Sequence, residues 1–369
     1  MSHLYGLSAR GQSIWLDSIS RELLKPDALP RMILDDAITG VTSNPSIFAA
    51  AIMGSTDYDG PLRDMAASGA STAEIYTALI TADIKAACDA TRQVYNRSDG
   101  VDGYVSVEVS PDLAHDTEAT VVEAREWVKR IDRPNLLIKV PATPPGIPAV
   151  RQLIAEGISV NVTLIFALDR YREVMEAYLC GLEGFLKDNR NASRIASVAS
   201  FFVSRVDTEV DKRLEAIGSD DALALRGKAA IANARAAYGA FLETFAGDRW
   251  NALASSGGRL QRPLWASTST KNPAYKDVMY VENLVADDTV NTIPLSTIEA
   301  YQDHGNPDPD TFTTADIEEA IETLAELGSV GVDYDDVVQV LEDEGVAKFA
   351  DAYHELLASI DTKRQALVS

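Results

Sequence analysis

The chain predicts an α/β fold, a (β/α)8 barrel of the TIM-barrel type with additional helices, on three observations. Eight short aliphatic or β-branched runs recur over roughly the first 300 residues, most of them separated by a helical segment. Several of these runs are apolar almost throughout, as parallel strands are when helices cover both faces of a sheet. No glycine-rich dinucleotide turn follows the first run, which argues against the alternative, a doubly wound open sheet.

Residues 13–17 (Ser-Ile-Trp-Leu-Asp) read as the first strand and 19–24 as a short helix. Asp17 closes that strand, either as a carboxylate at one rim of the sheet or as a helix N-cap. The second strand, 37–42, exits through Thr42-Ser43-Asn44-Pro45-Ser46 into a helix over 47–53. A residue before proline avoids the helical region, so Asn44 is a turn residue or a polar group at the rim of Asp17. Ser71 and Glu74 have the spacing of a capping box. The helix behind them runs to about Asn96, with Ile75, Leu79, Ile84 and Val94 on its apolar side. In the third strand, 103–111, alternation puts Tyr104, Ser106 and Glu108 on one face and Val105, Val107 and Val109 on the other.

A helix over 115–131 leads to the fourth strand, 135–143, where aliphatic residues and Pro141 frame a single lysine, Lys139. Desolvating an ammonium is costly. Lys139 therefore either snorkels past the strand end or is held in place for chemistry, since a neutral amine attacks carbonyls and forms Schiff bases. Prolines 144 and 145 suit a helix start and Gly157 its stop. The fifth strand, 159–164, sets Asn161 and Thr163 on one face, and a helix follows over 169–187. The sixth, 194–202, sets Ser200 and Phe202 on one face, with Arg205 just past its end. Residues 222–253 are mostly helical. The seventh strand, 263–267, runs into the polar stretch 268–272, and the eighth is 289–294. Behind Thr313, Ile317, Ile321 and Leu324 recur at helical spacing; behind Asp333, so do Val337, Leu341, Phe349, Tyr353, Leu356 and Ile360. With no linker or repeat, residues 1–369 read as one domain, a barrel core over about 12–300 with C-terminal helices over about 313–365 packed on it.

Composition narrows the partners. The chain of 369 residues carries a net charge of −23 and a pI near 4.5, which argues against nucleic acid or an anionic membrane. A small anion needs only a local cluster of cations. No apolar run is long enough to span a bilayer, and the N-terminus lacks a signal pattern, so a cytoplasmic location is expected. Cys88, Cys180 and four scattered histidines lack metal-ligand spacing, so neither a metal nor a cofactor is expected.

Taken singly, each polar residue has a plain structural explanation. Taken together, Asp17, Asn44, Glu108, Lys139, Asn161 with Thr163, Ser200 and Ser267 fall at or near the ends of seven successive strands. In a parallel barrel those ends meet at one mouth, where active sites of this fold are built. The set is chemically coherent. Lys139 attacks a ketone, Glu108 and Thr163 hold the water that shuttles protons, and Asp17 is a general base toward a substrate hydroxyl. Asn44, Asn161 and Ser200 suit sugar hydroxyls. Arg205 and Lys271, just past strand ends, suit a phosphate, unless they are ordinary surface charge.

These residues resemble the transaldolase family of class I Schiff-base enzymes. The matching motifs are Trp15-Leu16-Asp17-Ser18, Gly40-Val41-Thr42-Ser43-Asn44-Pro45-Ser46, Leu137-Ile138-Lys139-Val140-Pro141-Ala142-Thr143, Ser159-Val160-Asn161-Val162-Thr163, Ser200-Phe201-Phe202-Val203-Ser204-Arg205 and Ala266-Ser267-Thr268. They stand in family order over about residues 12–295. The resemblance implies Lys139 as the Schiff-base lysine, Asp17 as the acid/base, and Glu108 with Thr163 as positioners of the catalytic water. Asn44, Asn161, Ser200 and Ser267 would contact the dihydroxyacetone unit or the phosphate. Phe202 would line the site and Arg205 would bind phosphate. It implies transfer of a dihydroxyacetone unit between sugar phosphates, by a monomer or homodimer. One departure stands out: where better-known members have a second arginine, this chain has Ser269, and Lys271 is the nearest replacement, as in the longer bacterial branch of the family. A fructose 6-phosphate aldolase-like lyase and a non-catalytic binding barrel are the competing readings.

Overall fold

A computed structural model describes residues 2–187 and 190–368. Eight parallel strands close into a barrel in chain order: β1 (Gln12–Leu16), β2 (Ile38–Val41), β3 (Val105–Glu108), β4 (Leu136–Pro141), β5 (Val160–Ile165), β6 (Ser197–Phe202), β7 (Gln261–Ala266) and β8 (Thr289–Ile293). Closure comes from β8 returning to β1, with Thr289 opposite Gln12 and Ile293 opposite Leu16. All eight expected strands form. Several are shorter than their sequence runs, β3 and β6 among them.

Register aligns the chemistry. Glu108 on β3 lies opposite Lys139 on β4, and Lys139 lies opposite Asn161 on β5, so three polar residues make one row around the barrel wall. Two residues further along, Pro141 lies opposite Thr163. The β5–β6 ladder is irregular between Val162 and Ile165, and Leu164 there has a φ of 60°. A branched residue in the left-handed region is strained by roughly 1–3 kcal/mol and persists only where its surroundings enforce it.

The barrel is filled. Trp15 and Trp265 are fully buried, and the indole of Trp15 lies so close to Gly40 that a Cβ there would come within 2.7 Å of it. The end away from the expected mouth is closed by polar side chains that bond to one another. Trp15 Nε1 donates to Asp102 at 2.7 Å, Ser13 Oγ also donates to Asp102, and Arg262 donates to the Thr289 carbonyl at 2.6 Å. Such an arrangement locks one end of a barrel and leaves the other for function.

One local expectation is corrected, and three details are added. Residues 19–24 are not a helix. Leu23 N–H bonds to Ser20 Oγ at 3.2 Å, forming a turn, and the helix is instead Leu29–Asp35, begun by Pro30. The segment 222–253 is mostly helical as expected, in three helices, Asp220–Leu223, Ala229–Thr244 and Gly247–Ser255, interrupted where Gly227 and Gly247 take φ of 72° and 80°. Residues Ser204–Ile217 form a helix directly after β6, with Arg205, just past the strand end as expected, in its first turn. The N-terminal segment contains the helix Leu4–Ala9.

The C-terminal helices form as expected, over Thr314–Ser329 and Tyr334–Val368. The second does not simply pack on the outside. It contacts the helix Ser204–Ile217 after β6 and the helix Pro45–Gly54 after β2, as well as β5 itself. It therefore crosses the face where the strands end. No helix among the described residues is long and apolar enough to cross a membrane.

Candidate active site

Lys139 is placed in the wall of the barrel by its position inside β4. It does not snorkel: its side chain and that of Glu108 are each only 7 % exposed, with Lys139 Nζ 3.4 Å from Glu108 Oε2. Nζ also lies 3.3 Å from the Ser43 carbonyl. Burial pushes the Glu108 carboxyl above its ordinary range, Lys139 pulls it back, and the charge of Asp17 raises it further. The pair is a proton donor and a proton acceptor held together out of water.

Asp17 follows β1, its N–H bonded to the Ile293 carbonyl at 2.9 Å. It does not cap a helix. Its Oδ1 accepts from Thr42 Oγ1 at 2.6 Å, and Thr42 Oγ1 in turn touches Thr292 Oγ1. Because Thr42 has one hydroxyl proton and gives it to Asp17, Thr292 is the donor to Thr42. Burial raises the Asp17 pKa, while the Thr42 hydrogen bond and the charges of Lys139 and Lys271 oppose it. A carboxylate with a raised pKa, carrying one directed hydrogen bond and two nearby cations, is poised to take up a proton.

These groups open on a cavity of about 130 Å³ lined by Asp17, Thr42, Asn44, Lys139, Thr163, Ser200, Phe202, Arg205, Ser267, Ser269, Lys271, Thr292 and Phe349, among others. Nine of the eleven residues singled out in the sequence therefore share one wall. The other two, Glu108 and Asn161, lie behind it. Asn161 is fully buried, donating to Ser106 Oγ at 3.0 Å and accepting from Ser200 Oγ at 2.7 Å. Asn44 reconciles both readings of it, since its side chain caps the helix Pro45–Gly54 by accepting from Ile47 N–H at 3.0 Å and also lines the cavity.

Thr163 Oγ1 is buried with no hydrogen-bond partner. An orphaned hydroxyl on the cavity wall, two residues past Asn161, marks a place for a water or a substrate hydroxyl. Ser267 is held in the left-handed region, at φ 57°, and its hydroxyl bonds to Ser204 Oγ at 2.8 Å.

Arg205 is the most unusual cation of the site. Its Nη1 is buried without a hydrogen-bond partner, and among the described residues no carboxylate stands within ion-pair distance. Burial lowers its pKa, the more distant Glu344 opposing. Its guanidinium carbon lies 5.1 Å from the ring centre of Phe202 and 5.8 Å from that of Phe349. A desolvated guanidinium with a free donor calls for an oxyanion. Lys271 differs: it is exposed and donates to Ser269 Oγ at 2.7 Å.

Three contributors escaped the sequence reading. Thr42 sat inside a quoted motif without a role, although the residue beside Ser43 and Asn44 was available for one. Thr292 lies on the eighth strand, from which no polar residue was selected. Phe349 was read as apolar spacing on the last helix, and nothing local in the sequence marks it otherwise.

Residues 14–360 match the family model described as transaldolase/fructose-6-phosphate aldolase. The transaldolase of Mycolicibacterium smegmatis is 53 % identical over 357 residues, 96 % of this chain and 95 % of that one. The transaldolase of Parafrankia sp. is 54 % identical over 366 residues, covering 99 % and 98 % of the two chains. That of Acidothermus cellulolyticus is 54 % identical over 354 residues, covering 96 % and 95 %.

Proposed function

The chain belongs to the transaldolase/fructose-6-phosphate aldolase family, and on that premise we propose how its own residues divide the work of a transaldolase. It is a transferase that moves a dihydroxyacetone unit from sedoheptulose 7-phosphate to glyceraldehyde 3-phosphate, giving erythrose 4-phosphate and fructose 6-phosphate through a Schiff base. The observation that carries the assignment of roles is the buried Lys139–Glu108 pair beside a cavity that Asp17 also lines.

Lys139 Nζ, as the free amine, adds to the ketone carbon of the donor sugar. A water held between Glu108 and Thr163 carries a proton to the carbinolamine oxygen, which leaves as water, and the iminium forms. Asp17 then takes the proton of the C4 hydroxyl. The C3–C4 bond breaks, its electron pair moving through the enamine to the nitrogen, and erythrose 4-phosphate departs. The enamine carbon attacks the aldehyde carbon of glyceraldehyde 3-phosphate, and Asp17 returns its proton to the new alkoxide. Hydrolysis of the iminium releases fructose 6-phosphate and restores the amine. Asn44, Ser200 and Ser267 hold the hydroxyls of the bound unit, with Asn161 orienting Ser200 from behind. Arg205 takes the phosphate, with Lys271 as an outer cation, and Phe202 closes one side.

We further propose that residues 1–369 act as one domain, in the cytoplasm, as a monomer or homodimer. The test of the assignment is release of glyceraldehyde 3-phosphate from fructose 6-phosphate, with and without erythrose 4-phosphate, for the wild type and Lys139→Ala. Release that needs the acceptor and disappears in the variant is expected. Equal release without acceptor would instead make the enzyme a lyase, and undiminished activity in the variant would remove Lys139 from the mechanism.

A further inference from the structure

The helix Tyr334–Val368 is tied down on both sides of the barrel mouth. Toward its start, Tyr334 Oη donates to Asn233 at 2.6 Å, Arg213 pairs with Asp336 at 2.7 Å, and Arg170 reaches Glu342 at 3.4 Å. Toward its end, Lys363 Nζ donates to the Ile52 and Ser55 carbonyls at 2.8 and 2.9 Å and pairs with Asp59 at 2.6 Å. Between these anchors the helix passes over the cavity, and two residues one turn apart face it. Gly345 brings the backbone close: a Cβ there would lie 3.1 Å from Leu164 Cδ2 and 3.7 Å from Arg205 Nη1. Phe349 then fills the space above, its ring centre 5.3 Å from Lys139 Nζ and 5.8 Å from the Arg205 guanidinium carbon.

Resting on the roles of Lys139 and Arg205 given above, we propose that Phe349 is a positioning residue of this enzyme, its ring holding the Arg205 guanidinium in the place where it meets the substrate phosphate. The physical case is that Arg205 has no anchor of the usual kind. With no carboxylate of the described residues in ion-pair reach and Nη1 unpartnered, its orientation rests on the two aromatic rings, Phe202 from β6 and Phe349 from the last helix. Aromatic faces attract a guanidinium without consuming its in-plane N–H donors, so the donors stay free for an oxyanion. A carboxylate in the same place would hold the arginine but compete with the phosphate. The C-terminal helix is therefore part of the binding site and not merely a buttress.

The test compares Phe349→Leu, Phe349→Tyr and Arg205→Gln with the wild type, using glyceraldehyde 3-phosphate and unphosphorylated glyceraldehyde as alternative acceptors. Circular dichroism and thermal unfolding confirm that each variant is folded. Leucine keeps an apolar filler without the ring, and tyrosine keeps the ring. The proposal expects Phe349→Leu to raise KM for glyceraldehyde 3-phosphate by about five- to tenfold with a much smaller change for glyceraldehyde, and Phe349→Tyr to stay near wild type. A loss equal for both acceptors, or a Phe349→Leu enzyme indistinguishable from wild type, would overturn it. Arg205→Gln separates the levels: if it leaves the preference for the phosphorylated acceptor intact, the phosphate role of Arg205 is what fails. If it abolishes that preference while Phe349→Leu does not, the failure lies with Phe349 alone.

Discussion

Thr42→Val removes one hydroxyl and keeps the shape of the side chain, so it isolates the hydrogen bond at 2.6 Å that Asp17 receives. That bond stabilises the ionised carboxylate against the burial that raises its pKa. A hydrogen bond to a charged group is worth roughly 1.5–3 kcal/mol. Its loss therefore strengthens proton binding by Asp17 by roughly ten- to a hundredfold. On the proposed role of Asp17 as a base, activity falls on the acid side as the carboxylate protonates. In Thr42→Val the acid limb of the kcat/KM profile should move to higher pH, with activity at alkaline pH much less affected. Thr292→Val is the control, because it removes the donor to Thr42 while leaving the Thr42–Asp17 bond in place, and its limb should move far less. A Thr42→Val profile that is lower everywhere but unshifted would refute the assignment of Asp17 as the titrating base.

Other variants test other parts of the site. Lys139→Met leaves the Glu108 carboxyl buried without its cation and should cost about 3 kcal/mol at neutral pH. Because the folded-state pKa of Glu108 is then raised still further, the deficit should shrink as pH falls and Glu108 takes up a proton, which thermal unfolding across pH would reveal. Arg205→Lys should lower kcat/KM for glyceraldehyde 3-phosphate by at least about tenfold, since a lysine neither stacks between two rings nor offers a fork of donors. Lys271→Ala, at an exposed position, should cost less than about fivefold. Gly345→Leu should lever the last helix off Leu164 and Arg205, destabilising by about 1–3 kcal/mol and raising KM for sugar phosphates. Unchanged kinetics there would mean that the helix does not press on the site.

The barrel was legible in the sequence because several of its strands are apolar almost throughout and its helices carry glycine stops and a capping box that agree with the topology. The errors fall where local chemistry is ambiguous. Residues 19–24 have helical composition, but Ser20 turns the chain and Pro26 prevents a continuing ladder. Polar residues at strand ends announced the site, since a lysine within an aliphatic strand and an asparagine before a proline conflict with burial and helix formation. Thr42, Thr292 and Phe349 gave no such conflict. A threonine ending a strand is ordinary, and a phenylalanine at helical spacing is ordinary core. What makes Phe349 part of the site is a helix that spans the mouth, and that placement follows from anchors such as Lys363 with Asp59, more than 300 residues apart in sequence. Long-range ties of that kind leave no local periodicity to read.

The central claim is that Lys139 forms the covalent intermediate. Incubation with fructose 6-phosphate followed by borohydride should reduce the iminium to a stable amine, inactivate the enzyme, and add the mass of one reduced dihydroxyacetone unit to the peptide containing Lys139. No adduct, or an adduct on another lysine, would contradict the account.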